Sequence, residues 1–147
     1  MDIDETVLDN SRYQAQLIID GTGFDPRTWD QWIALKIAAA VPGAVSFIKH
    51  LKEKDVAVFF ITNRECMART GSDCRCPQEQ ETIDNLARVG IDGVKPEDVL
   101  MQNERSGWGS EKKRIIRDRA PIMKISHRLM NYPAASCQEL DLKEIKK

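Results

Sequence analysis

Asp2-Ile3-Asp4-Glu5-Thr6-Val7-Leu8-Asp9-Asn10-Ser11 carries two carboxylates two residues apart, with a threonine two residues further on. On or just past the end of a strand, positions 2 and 4 project to the same side. One carboxylate can then attack an electrophile while its neighbour moves a proton. A threonine hydroxyl in the same turn can hold the backbone in place. A bare D-x-D triplet is more often an acidic, disordered terminus. The continuation into E-T-V-L-D-N-S argues for the chemical reading.

Downstream of this stretch, helix and strand signals alternate. Residues 11–20 read as a short helix with Tyr13, Leu17 and Ile18 on one face, and Gly21-Thr22-Gly23 breaks it. Asp25 as a cap and Pro26 in the first turn open a second helix. It carries Trp29, Trp32, Ile33, Leu35 and Ile37 and runs on through Ala38-Ala39-Ala40. Pro42-Gly43 begins a third helix, to about Lys54, on which Ala44, Phe47, Ile48 and Leu51 recur at helical spacing. Val56-Ala57-Val58-Phe59-Phe60-Ile61 is a continuous apolar run, expected as a strand buried on both faces. Thr62-Asn63-Arg64 then falls at its carboxyl end, where open α/β sheets place their ligands.

Residues 65–77 read as a polar loop with three cysteines. Gln78 to Val89 reads as a helix stopped by Gly90. Val99-Leu100-Met101 is a short strand and Asn103 to Gly109 a loop. Ser110 caps a basic helix to about Arg119, Ile122-Met123-Lys124-Ile125 is a further strand, and a charged helix closes the chain from about Gln138 to Lys147. This alternation argues for one α/β domain over residues 1–147, a parallel sheet with helices on both faces.

The motifs, taken together, resemble the bacterial class C acid phosphatases (the lipoprotein e type) of the haloacid dehalogenase superfamily, subfamily IIIB. The resemblance runs from D-I-D-E-T-V-L-D-N-S through Trp29 and Trp32, Val41-Pro42-Gly43-Ala44, Phe59-Phe60-Ile61-Thr62-Asn63-Arg64, Thr82-Ile83-Asp84-Asn85-Leu86 and Ser110-Glu111-Lys112. It covers about residues 2 to 121. It implies a Rossmann-like haloacid dehalogenase fold, with a small helical cap from about residues 11–41. It implies hydrolysis of phosphomonoesters, including nucleoside monophosphates, through an aspartyl-phosphate.

In that reading Asp2 is the nucleophile, and Asp4 is the general acid and then the base that activates water. A carboxylate at the position of Asp4 separates such phosphatases from the dehalogenases, since an alkoxide leaving group needs a proton and a halide does not. Thr62 matches the phosphate-binding motif after the strand, and Asn63 and Arg64 are secondary candidates beside it. Lys112 matches the lysine that neutralises the phosphate and the Asp2 carboxylate. Trp29, with Tyr13 nearby, would stack on a substrate ring; packing is the alternative for both. Mg²⁺ would be held by Asp2 and by the main-chain carbonyl of Asp4.

Two departures from the family pattern set the competing expectation. An apolar strand should precede Asp2, and only Met1 does. The stretch Lys124-Ile125-Ser126-His127-Arg128-Leu129-Met130-Asn131 contains no acid where the family carries its metal-binding carboxylates. The segment 122–147 is therefore divergent, and a catalytically impaired remnant is the alternative function.

Composition limits partners and cofactors. The chain has 147 residues, 22 basic and 23 acidic side chains, and a formal net charge of −1. No basic excess points to a nucleic-acid polymer, and the resemblance implies a small-molecule phosphomonoester as the partner. No apolar run approaches the ~20 residues that span a bilayer. No signal peptide is expected, because the acidic residues follow the first Met directly, although family members are typically exported. His50 and His127 lack metal-ligand spacing to a cysteine, so zinc is not expected. Cys66 can close a disulfide with Cys74 or Cys76 in an exported protein; free thiols are the equal alternative.

Overall fold

The computed structural model describes residues 1–105 and Gly109. At its centre lies a parallel pair, β3 (Phe60–Glu65) beside β4 (Val99–Gln102), in the register Phe60 to Val99 and Ile61 to Leu100. The crossover between them carries α4 (Pro77–Arg88), as parallel strands require. Met1 lies along β3 as a further strand would. Its amino group donates to the Phe59 carbonyl at 2.7 Å and its carbonyl accepts from Ile61 N at 2.8 Å. This pairing sets the Asp2–Asp4 segment level with Thr62–Arg64.

After Asp4 the chain turns tightly. Val7 N and Leu8 N both donate to the Ile3 carbonyl, and Glu5 takes a left-handed φ of 57°. The turn feeds β1 (Leu8–Asp9), then α1 (Ser11–Ile19), α2 (Pro26–Leu35), β2 (Ala39–Ala40) and α3 (Ala44–Glu53). Ile3, Val7, Leu8, Ile48, Phe60, Leu86, Ile91, Val99 and Met101 pack in one core around the sheet. No helix among the described residues is long and apolar enough to cross a membrane. The expected helix at 110–119, the strand at 122–125 and the final helix lie outside the described residues.

Three expectations are corrected. The strand is not 56–61 but Phe60–Glu65, so Thr62-Asn63-Arg64 lies within it. Asp55 turns the chain at φ 57° and Val56 is exposed. Pairing with Met1 and Val99 begins only near Phe60, so the partners rather than the apolar run set the strand. The burial then alternates: Phe60, Thr62 and Arg64 face inward and Asn63 outward.

Secondly, α2 stops at Leu35, where Lys36 adopts a left-handed φ of 56°. The three alanines do not continue it. Ala39 and Ala40 pair antiparallel with Asp9 and Leu8. Buried Asn85 takes both main-chain groups of Ala38, accepting from its N at 3.1 Å and donating to its O at 2.8 Å. Tertiary hydrogen bonds thus override the strong helix propensity of alanine. Thirdly, of the α1 face only Tyr13 is buried, and Ile18 points outward. Tyr13 reaches α2, where its hydroxyl meets Thr28 Oγ1 at 3.0 Å. Phe47 on α3 is likewise exposed, and Ile48 is the buried residue there.

The loop between β3 and α4 is closed by a Cys66–Cys76 disulfide. Just beyond it, Glu79 is 3% exposed in the first turn of α4. Burial, and then the nearby Glu104 carboxylate, push its pKa up from 4.5 to about 7; Glu97 adds to this and Arg105 opposes it. The folded protein holds this proton more tightly than the unfolded chain does. The resulting stability is fully present below the unfolded value of 4.5 and is lost as pH rises through about 7. Chemical denaturation should therefore show a loss of about 1–3 kcal/mol from pH 5 to pH 8. Glu79→Gln should flatten that dependence; an equally steep profile in the variant would clear Glu79 of the effect.

Candidate active site

Asp2, Ile3 and Asp4 alternate as an extended segment should. Ile3 is fully buried, Asp2 is exposed and Asp4 is partly exposed. The Asp2 carboxylate accepts from Ile3 N at 2.7 Å.

Asp4 is the centre of a network. Arg64 grips it with a fork: Nη2 donates to Oδ1 at 2.8 Å, and Nε lies 3.1 and 3.2 Å from Oδ1 and Oδ2. Asn10 Nδ2 donates to Oδ1 at 2.9 Å, and the Thr62 hydroxyl approaches Oδ2 at 3.4 Å. The Arg64 side chain is 1% exposed and that of Asp4 is 20% exposed. A charge so deeply buried is tolerated because it is paired. The remaining end of the guanidinium donates from Nη1 to Thr82 Oγ1 on α4 at 3.1 Å.

The aromatic side chains close over this network. Trp29 lies 5.8 Å from the Arg64 guanidinium carbon, within cation–π range. Tyr13 meets the Trp29 ring edge-on at 5.0 Å, and Phe24 lies 6.2 Å from it. Trp32 Nε1 donates to Asn10 Oδ1 at 2.9 Å, so Asn10 links the indole to the Asp4 carboxylate. Of the residues expected at the site, Asp4, Thr62, Trp29 and Tyr13 are linked through Arg64 and the aromatic contacts, and Asp2 lies two residues before Asp4. Asn63 is exposed on the strand beside them. Lys112 and the acid-free stretch at 124–131 lie outside the described residues.

Arg64, Asn10 and Thr82 organise Asp4; Arg64 was expected only as a secondary candidate beside Thr62, and Asn10 and Thr82 were not expected at the site. Arg64 and Asn10 do stand within the motif strings. Their signal was an arginine closing an apolar strand run and an asparagine ending the carboxylate stretch. Thr82 opens the motif string Thr82-Ile83-Asp84-Asn85-Leu86, but its string gave it no role at the site.

A family model described as HAD superfamily, subfamily IIIB (Acid phosphatase), matches residues 1–116. The chain belongs to this family. Two solved structures of the class C acid phosphatase from Bacillus anthracis, one with tungstate bound, are similar at 38% sequence identity. They superpose with TM-scores of 0.62 and 0.63 over 80% of this chain, which spans 45% and 44% of theirs. The motif residues fall on neighbouring, hydrogen-bonded segments of the chain. Asp2 to Asp4 follow the Met1 pairing, and Thr62 follows Phe60 and Ile61 on the neighbouring strand.

Metal-dependent chemistry is general among such phosphatases. Among the described residues, no group of three or more His, Cys, Asp or Glu side chains is gathered to hold an ion. The donors that the resemblance implies are the Asp2 carboxylate, which is exposed, and the Asp4 main-chain carbonyl. Both are hard oxygens of the kind Mg²⁺ takes while keeping several waters. The Asp4 side chain is engaged by Arg64, Asn10 and Thr62 instead.

Proposed function

We propose that this domain hydrolyses phosphomonoesters at acidic pH, with nucleoside and aryl phosphates preferred, and that Asp2 is the nucleophile. The observation that carries this reading is the Asp4–Arg64 fork, with Thr62 behind it and Trp29 against the guanidinium. An Asp2 oxygen attacks phosphorus and the bond to the ester oxygen breaks. For this step Asp4 starts as the carboxylic acid, having taken up a proton from solvent at acidic pH against its pairing with Arg64, and gives that proton to the departing alkoxide. It then takes a proton from water, whose oxygen attacks the aspartyl-phosphate, releasing inorganic phosphate and restoring Asp2. Arg64, Asn10 and Thr62 hold the Asp4 carboxyl in place for both transfers. Mg²⁺ on Asp2 and the Asp4 carbonyl would supply Lewis-acid stabilisation of the phosphoryl oxygens. Lys112 would add positive charge, and Asn63 a further donor to the phosphate.

The Cys66–Cys76 disulfide supports an oxidising compartment for the protein. A small phosphomonoester is the proposed partner, with no nucleic-acid polymer.

The test is hydrolysis of p-nitrophenyl phosphate, a nucleoside monophosphate and glycerol phosphate at pH 5 to 6, with Mg²⁺ and with a chelator. Mg²⁺-dependent turnover favouring the two ring-bearing substrates is expected. Trp29→Ala should lower the nucleotide-to-glycerol ratio of kcat/KM by about tenfold, the scale of one stacked ring. An unchanged ratio would make Trp29 a packing residue. No turnover of any of the three would favour the impaired remnant suggested by the acid-free stretch 124–131.

A further inference from the structure

Arg69 lies in the loop that the Cys66–Cys76 disulfide closes, and its guanidinium bridges two helices. Toward α2, Nε donates to Asp30 Oδ2 at 2.7 Å and Nη2 to Asp30 Oδ1 at 2.8 Å. Toward α4, Nη2 donates to Glu81 Oε2 at 2.8 Å and Nη1 to Glu81 Oε1. One planar cation thus makes a two-pronged contact with a carboxylate on each helix. Gln78 ties the cluster back to the loop: its Nε2 donates to Asp30 Oδ1 at 2.6 Å and to the Met67 carbonyl at 2.9 Å, and its Oε1 accepts from Met67 N.

The Arg69, Asp30 and Glu81 side chains are 28%, 16% and 15% exposed, so water screens them less than a surface pair. The hydrogen bonds from Arg69 hold Asp30 below the usual carboxylate range. Asp30 therefore stays ionised at the acidic pH where the site would work. A fork of this kind fixes direction as well as distance, which a lysine ammonium cannot do. Two forks on one guanidinium therefore restrain both the spacing and the rotation of α2 against α4. Asp30 follows Trp29 directly on α2, and Thr82 follows Glu81 directly on α4 and receives Arg64. Rotation of α2 would swing the Trp29 ring away from the Arg64–Asp4 pair, although Arg69 binds neither member.

We propose that Arg69 is a positioning residue that sets selectivity for ring-bearing phosphomonoesters by holding Trp29 over the Asp4–Arg64 pair. The selectivity rests on the phosphatase function proposed for the site; the positioning does not. Arg69→Ala and Arg69→Lys are compared with the parent on a nucleoside monophosphate and on glycerol phosphate. Arg69→Ala should raise KM for the nucleotide about tenfold, the scale of a lost stacking contact, with kcat and the glycerol phosphate KM unchanged. Arg69→Lys, which keeps the charge but not the forks, should recover only part of the loss. Equal losses on both substrates, or no loss, would overturn the proposal.

The indole N–H resonance of Trp29, identified by its disappearance in Trp29→Phe, gives a readout that needs no activity. It should move in Arg69→Ala, and an unmoved resonance would overturn the positioning role. A parent that hydrolyses neither substrate would defeat the phosphatase reading, and the resonance would then decide the role of Arg69 alone. Should Arg69→Ala fail to fold, Glu81→Gln takes its place in both measurements with the same expected directions.

Discussion

Asp2→Asn should reduce hydrolysis of p-nitrophenyl phosphate by roughly a thousandfold or more, as expected when a covalent nucleophile is removed. The amide is nearly isosteric with the carboxylate but cannot form the acyl phosphate that water readily cleaves. Asp2 is exposed, and the asparagine oxygen can keep the hydrogen bond that Oδ1 accepts from Ile3 N. Folding should therefore be almost unaffected, and the loss should lie in kcat. The same variant should bind Mg²⁺ more weakly, because a charged oxygen donor becomes a neutral one. Steady-state kinetics beside a urea titration separates the two effects. Undiminished turnover in a folded variant would remove Asp2 from the mechanism.

Arg64→Met should behave in the opposite way and fail in stability first. It leaves the Asp4 carboxylate, 20% exposed, without its counter-charge. It also removes the donor to Thr82 Oγ1 and the cation facing Trp29. Breaking such a pair from one side costs about 3–5 kcal/mol, and the lower end applies because Asp4 keeps some water. Arg64→Met/Asp4→Asn should regain much of the stability, since both charges are then gone, but none of the turnover. This contrast tests the pair itself and not merely arginine packing. The urea midpoints of the parent, both single variants and the double variant complete the cycle. Additive losses would mean that Arg64 and Asp4 are not energetically coupled.

Much of the candidate site was legible in the sequence because its chemistry depends on short-range spacing. The D-x-D stretch predicts the alternation of an extended chain, and Ile3 is buried between the exposed Asp2 and the partly exposed Asp4 as that pattern requires. Asp25 and Pro26 announced the start of α2, and the Asp25 side chain does accept from Arg27 N at 2.8 Å. Gly90 stopped α4 as expected, at a φ of 92°. These are local preferences, settled within a turn of the chain.

What the sequence determined by itself was the family, the α/β alternation, the carboxylate pair and the aromatic helix beside it. Each is a matter of residue type and near spacing. The tertiary structure decided the rest. Strand β3 begins at Phe60 because Met1 and Val99 offer partners there, although the apolar run begins at Val56. Ala38–Ala40 leave the helix because Asn85, 47 residues away, takes both main-chain groups of Ala38. Arg64 becomes the partner of Asp4 across 60 residues, and Arg69 that of Asp30 across 39. The physical reason is common to all four. A hydrogen bond or ion pair is strong when both groups leave water together, and which groups do so is fixed only when distant segments pack.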